Sequence, residues 1–143
     1  DVLFGENGND RLWGGKQGDV LLGGIGQDRL VGGPGNDRLY GGDGEDFLRG
    51  GKGSDKLDGG NGMDTLTGGS GADTFIFREG NDGGVIRDFE LGNDLIKIVS
   101  NANEYSDIRI FDMGHDTLIL LGHEEIIVEN IRSSELTVND FIL

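Results

Sequence analysis

The chain of 143 residues has no cysteine, a single proline and only two histidines. Without cysteine there is no disulfide framework to hold it. Aromatic residues make up 7% of the sequence and hydrophobic residues 34%, too few for a large conventional core. No apolar run is long enough to cross a bilayer as a helix, and no signal peptide opens the sequence. Cations are scarce: 12 Lys and Arg stand against 27 Asp and Glu, a formal charge of -15. That imbalance argues against nucleic acid and anionic membrane surfaces as partners, and in favour of cations.

What is abundant is glycine, 29 residues, and it keeps time. Asp1, Asp10, Asp19, Asp28, Asp37, Asp46, Asp55, Asp64, Asp73 and Asp82 stand nine residues apart. Two residues after the first nine come Leu3, Leu12, Leu21, Leu30, Leu39, Leu48, Leu57, Leu66 and Phe75. Eight full copies of Gly-Gly-x-Gly-x-Asp-x-Leu-x can be cut, from 5–13 through 68–76. Glu6 replaces the second glycine of the first copy, and Gln17 the third glycine of the next. Residues 1–4 are the end of a preceding copy, so the chain is expected to be a piece of a longer protein. Residues 77–82 keep the end of the motif and lose its paired glycines. Beyond residue 84 the composition changes. Apolar segments at 85–89, 94–99, 108–112, 117–121 and 125–129 read as strands separated by turns such as Gly92-Asn93-Asp94. "RSSELTVNDFIL" has room for one helical turn.

Internal repeats of this length mean a solenoid. Glycine pairs supply the backbone angles of tight turns, and each x-Leu-x makes a very short strand with the leucine inward. Two repeats close one 18-residue coil, and repeats two apart stack as parallel strands. One buried leucine for every nine ordered residues does not offset the conformational entropy of ordering them, and stacking piles up carboxylates. The coil needs another stabiliser. A hard divalent cation fits, because calcium takes six to eight oxygens from carboxylates and backbone carbonyls alike. Ordinary turn-forming Asp would not keep phase over ten repeats. A collagen repeat, an EF-hand loop and a phosphate-binding loop at "GGKGS" all fail on spacing.

The nonapeptide resembles that of the repeats-in-toxin (RTX) family, the hemolysin-type calcium-binding repeat, over residues 1–82. The resemblance implies an all-β fold: a right-handed parallel β-roll at 1–82, followed by a β-rich C-terminal cap at 83–143. It implies calcium, about six or more ions, each between turns two repeats apart. One turn would give the carbonyls of motif positions two and four with its Asp. The next would give those of positions one and three with its own. Carried over, Gly24, Gly26 and Asp28 face Gly41, Asp43 and Asp46, while Gly33, Gly35 and Asp37 face Gly50, Lys52 and Asp55. Gly42, Gly44 and Asp46 face Gly59, Asn61 and Asp64, and Gly51, Gly53 and Asp55 face Gly68, Ser70 and Asp73. In the first coil, Asp10 faces Gly23, Ile25 and Asp28, and Gly15 with Asp19 faces Gly32, Pro34 and Asp37, where Glu6 and Gln17 break the pattern. Asp82 would support a further site beside the 59–67 turn, and Asp88 and Asp94 another at the junction.

"VIRDFELGNDLIKI" is similar to the segment that follows the roll in serralysin-type proteases. Asp140, Phe141, Ile142 and Leu143 resemble the C-terminal tail of exported members, an acid followed by three apolar residues. These resemblances imply a secreted, extracellular domain that folds on calcium after type I secretion and carries the secretion signal at its end, exposed to the export machinery. It is expected to be monomeric and not an enzyme: there is no HExxH and no nucleophile–base set, and His115 and His123 are expected in surface loops. The alternative is a polysaccharide- or surface-binding accessory module of a carbohydrate-active enzyme or adhesin. Arg11, Trp13, Arg29 and Val31, at outward positions of one sheet, would supply its column.

Overall fold

The computed structural model describes residues 1–99 and 108–142. Nine strands form along the repeats: β1 (Val2–Asn7), β2 (Arg11–Trp13), β3 (Val20–Ile25), β4 (Arg29–Pro34), β5 (Arg38–Asp43), β6 (Phe47–Lys52), β7 (Lys56–Asn61), β8 (Asp64–Ser70) and β9 (Thr74–Arg78). After them come β10 (Gly83–Ile86), β11 (Leu95–Val99), β12 (Ile108–Asp112), β13 (Thr117–Leu121), β14 (Glu124–Val128) and β15 (Phe141–Ile142). The chain alternates between two sheets. The seven-stranded sheet runs β1-β3-β5-β7-β9-β11-β15, and the eight-stranded sheet runs β12-β13-β14-β10-β8-β6-β4-β2. Within the repeats all pairing is parallel, as in Leu21↔Leu39 and Leu30↔Leu48. The expected all-β parallel roll is what forms.

The leucine clock forms two inward columns, one on each sheet. Leu21, Leu39, Leu57 and Phe75 stack in one and Leu30, Leu48 and Leu66 in the other, all buried. Apart from β2, the repeat strands are longer than three residues, because the ladder runs on through the glycine pair: Gly24 pairs with Gly42 and Gly33 with Gly51. Gly42 shows why that position is glycine. Its φ is 117°, and a Cβ there would collide with the carbonyl oxygen of Gly24 in the coil below. Glu6 (φ 73°) and Gln17 (φ 76°) hold left-handed angles despite their side chains. Gln17 coincides with the short β2, where the ladder stops at Trp13.

The roll passes into the C-terminal half without a break in either sheet. β10 continues the eight-stranded sheet between β8 and β14, and β11 continues the other beside β9. The strands read at 108–112, 117–121 and 125–129 form as the antiparallel β12-β13-β14, an extension of the roll's own sheet rather than a separate layer. Phe75, Phe77, Ile86 and Phe89 are buried at the last coil, with the Phe75 and Phe89 rings 6.1 Å apart, while Ile76 and Val85 are only half-buried. The tail departs from expectation. Val138–Asp140 form a 3-10 turn capped by Thr137, Asp140 is 4% exposed, and β15 pairs with β11. An edge strand with a free ladder on β11 is filled by the nearest apolar segment, so "NDFI" belongs to the fold; Leu143 lies outside the described residues.

Candidate metal centre

The aspartate clock becomes two hydrogen-bonded ladders. The backbone N–H of each Asp donates to Oδ1 of the Asp one coil on. One ladder links Asp10 to Asp28 (2.8 Å), Asp28 to Asp46 (2.7 Å) and Asp46 to Asp64 (2.9 Å). The other links Asp19 to Asp37 (2.8 Å), Asp37 to Asp55 (2.7 Å) and Asp55 to Asp73 (2.9 Å). The second oxygen has no such partner. Oδ2 of Asp10, Asp19, Asp28, Asp37, Asp46, Asp55, Asp64 and Asp73 is buried and makes no hydrogen bond. A buried carboxylate oxygen with no donor is expensive, and here it recurs in every coil.

These orphaned oxygens point at other oxygens. Asp28 Oδ2 and the carbonyl of Gly41, one coil on, crowd the same side of Gly23. The same convergence joins Asp10 with the carbonyl of Gly23, Asp19 with Gly32, Asp46 with Gly59 and Asp55 with Gly68. A carboxylate oxygen facing a carbonyl oxygen across a turn repels it, unless a cation lies between. Among the described residues no three Asp, Glu or His side chains cluster. Any hard-cation site must therefore take most of its oxygens from the backbone. That is the donor chemistry calcium accepts and zinc does not. On the other side of each gap, the position-three carbonyls of Ile25, Pro34, Asp43, Lys52, Asn61 and Ser70 each accept one turn hydrogen bond, as Asp43 does from Gly26 N–H (2.8 Å), and keep a second lone pair.

Burial leaves its mark on the acids. It raises the carboxyl pKa of Asp46, Asp55 and Asp73 to about 6 and of Asp64 to about 7. The backbone hydrogen bond to each opposes the shift, and the neighbouring Asp of the ladder adds to it. Asp37 is raised for the same reasons. Burial thus makes these carboxylates easier to protonate than free aspartates.

At the end of the roll the register of the ladder changes. The last coils lengthen to 20 and 21 residues: Gly84, not Asp82, pairs with Asp64, and Leu95 pairs with Thr74. Asp82 is exposed and out of the ladder's register, because the 77–82 segment lost its glycine pair, yet it still lies beside the 59–67 turn, lining one groove with Asn61, Gly62 and Met63 and raising the pKa of Asp64 by its charge. Asp94 takes the next rung instead. Its Oδ1 accepts from Asp73 N–H (2.9 Å) and its Oδ2 from Glu90 N–H (2.8 Å), so it is spoken for on both oxygens and rises to about 6 by burial. Asp88 does something the sequence did not signal. Its two oxygens accept from Gly68 N–H (2.8 Å) and Gly69 N–H (2.9 Å). Inside the roll the corresponding N–H groups of Gly14 and Gly15 donate to the carbonyls of Val31 and Gly32. One carboxylate thus imitates two successive carbonyls of a coil that is not there. His115 and His123 are exposed, as expected.

The comparisons agree with this geometry. No curated protein matches the chain. Among solved structures it is similar to the AlgE6R3 subunit of the Azotobacter vinelandii mannuronan C5-epimerase, with 26% identity over 96% of this chain and 80% of that one, at a TM-score of 0.56. It shares its fold with the extracellular lipase LipA of Serratia marcescens, at 15% identity and a TM-score of 0.57; all of this chain aligns, spanning 40% of the lipase. A model of the RTX calcium-binding nonapeptide repeat matches residues 1–21, 22–57 and 50–83, more than half of the sequence. The chain belongs to the family of proteins built from RTX calcium-binding nonapeptide repeats.

Proposed function

We propose that this β-roll is a calcium-gated folding unit of an exported protein, unfolded where calcium is scarce and folded once outside the cell. The row of buried, unpartnered Oδ2 atoms carries this reading. Calcium supplies the positive charge that these oxygens and the facing carbonyls lack. The residues that hold it are Asp10, Asp19, Asp28, Asp37, Asp46 and Asp55 from one turn of each pair, with the glycine-turn carbonyls named above, and the Asp of the next coil. Because adjacent sites share an aspartate, filling one orders the turn that the next one needs, and folding is cooperative.

The C-terminal tail fits the same logic. Asp140 is buried and Phe141–Ile142 sit in a sheet, so export machinery of the type I kind reads this tail only while the chain is unfolded. Folding after export then hides it.

The test is far-UV circular dichroism and small-angle scattering in EDTA and then in rising calcium. The expected result is an expanded chain that becomes compact and strand-rich cooperatively, with a midpoint in the range of extracellular calcium modules, roughly 10⁻⁴–10⁻³ M. Magnesium, which demands a smaller and stricter octahedron, should substitute poorly. A compact, strand-rich domain in EDTA at neutral pH would overturn the reading.

A further inference from the structure

The roll segregates its charge. Its acids crowd the turns, while the outward face of the eight-stranded sheet along β2, β4, β6 and β8 carries none. Arg11 and Arg29 sit side by side in register, with Phe47 next in the row. Trp13, Val31 and Arg49 form the parallel row, and Thr65 and Thr67 continue the two rows on β8. Arg11, Arg29 and Arg49 therefore lie on three consecutive strands, about 4.8 Å apart from one strand to the next. The side-chain ion pairs of the described residues lie elsewhere, at Arg78–Asp58 and Arg87–Glu129. Among the described residues none of the three guanidiniums has a carboxylate partner.

Two features give this face a shape. A groove of about 480 Å³ is lined by Arg11, Trp13, Arg29, Val31 and Arg49. A second, of about 200 Å³, adjoins it and shares Arg29, Val31 and Arg49 while reaching Phe47 and the threonines. Together they make one trough across four strands. Trp13 is 72% exposed and Phe47 53%. Large rings left in water beside unpaired arginines mark a surface made for a partner.

We propose that this trough binds an acidic polysaccharide, a linear chain of pyranose rings bearing carboxylates. Each part of the face has its counterpart in that chemistry. Guanidinium groups fork onto carboxylates. Aromatic rings pack on the C–H faces of sugar rings. Threonine hydroxyls meet sugar hydroxyls. The strand spacing is comparable with the rise of one ring in an extended chain, so successive rings can meet successive strands, and uronates on alternate rings meet alternate strands. A polyanion approaching a chain of charge -15 is repelled. Calcium on the turns, which rests on the function proposed above, lowers that repulsion without touching the face.

The experiment uses the calcium-loaded chain and defined hyaluronan oligosaccharides, whose alternating carboxylates leave calcium in solution, with binding followed by calorimetry. Binding should be measurable, absent with neutral dextran of equal length, and weaker at higher salt. Arg29→Glu with Arg49→Glu should weaken it at least about tenfold, and Trp13→Ala several-fold. Arg38→Glu with Lys56→Glu, on the opposite sheet, should leave it unchanged. Unchanged binding in the Arg29/Arg49 variant overturns the proposal, as does equal binding of single-stranded DNA or of vesicles rich in phosphatidylserine. Circular dichroism of each variant in calcium confirms that the roll is folded. A roll that proves folded in EDTA refutes the calcium reading but leaves this comparison valid, since the face is the same.

Discussion

Protons should partly replace calcium in holding this roll together, and the size of the effect follows from the ladder. In the metal-free fold the carboxyls of Asp46, Asp55, Asp73 and Asp94 sit at about 6 and that of Asp64 at about 7. An Asp in the unfolded chain titrates near 3.9. A pKa raised on folding means that the fold holds the proton more tightly than the unfolded chain does. The resulting stability is complete below about pH 4 and is lost as the pH rises through 6 to 7. Between about pH 8 and pH 5 each of these groups gains on the order of 1–3 kcal/mol in favour of the fold, Asp64 the most. Because each ladder Asp is raised partly by its neighbour's charge, the gains do not simply add, but together they amount to several kcal/mol, a large part of the stability of a small domain. Calcium has the opposite dependence, because its ligands must be ionised. In EDTA, circular dichroism should show little strand at about pH 8 and a gain of strand toward pH 5. In the same range the calcium midpoint should move to higher concentration. A metal-free chain equally unstructured at both pH values, together with a calcium midpoint indifferent to pH, would refute the idea that buried ladder carboxylates set the metal dependence.

The shared ladder makes two further predictions. Asp37 receives the N–H of Asp19 and passes its own to Asp55, with its second oxygen free for a cation, so Asp37→Ala should lose more than one calcium by equilibrium dialysis, whereas Asp10→Ala in the outermost coil should lose no more than one; equal losses would speak against sharing. Asp88→Ala leaves the N–H groups of Gly68 and Gly69 without their acceptor, which should cost roughly 1–3 kcal/mol per buried donor and raise the calcium midpoint of the whole domain, while Asp82→Ala, at an exposed position, should leave that midpoint in place.

The period of the chain determined the roll. Nine residues per repeat fix the 18-residue coil, and a strict Leu two residues after each Asp fixes which side chains point inward, so Leu21 to Phe75 could be placed in the core from sequence. The carboxylate ladder was legible for the same reason: identical turns stacked in register must stack identical groups. What the sequence did not decide begins where the glycine pairs end. Once the coil is no longer 18 residues, register is set by which N–H and carbonyl groups the last turns leave open. That long-range accounting moved Asp82 out of the ladder, brought Asp94 in, set Asp88 as a stand-in for two carbonyls, and drew Phe141–Ile142 into the free edge of β11. The unpaired arginine trough is tertiary too. Arg11, Arg29 and Arg49 are 18 and 20 residues apart in the chain, and only coiling puts them on neighbouring strands, away from the acidic turns that dominate the sequence.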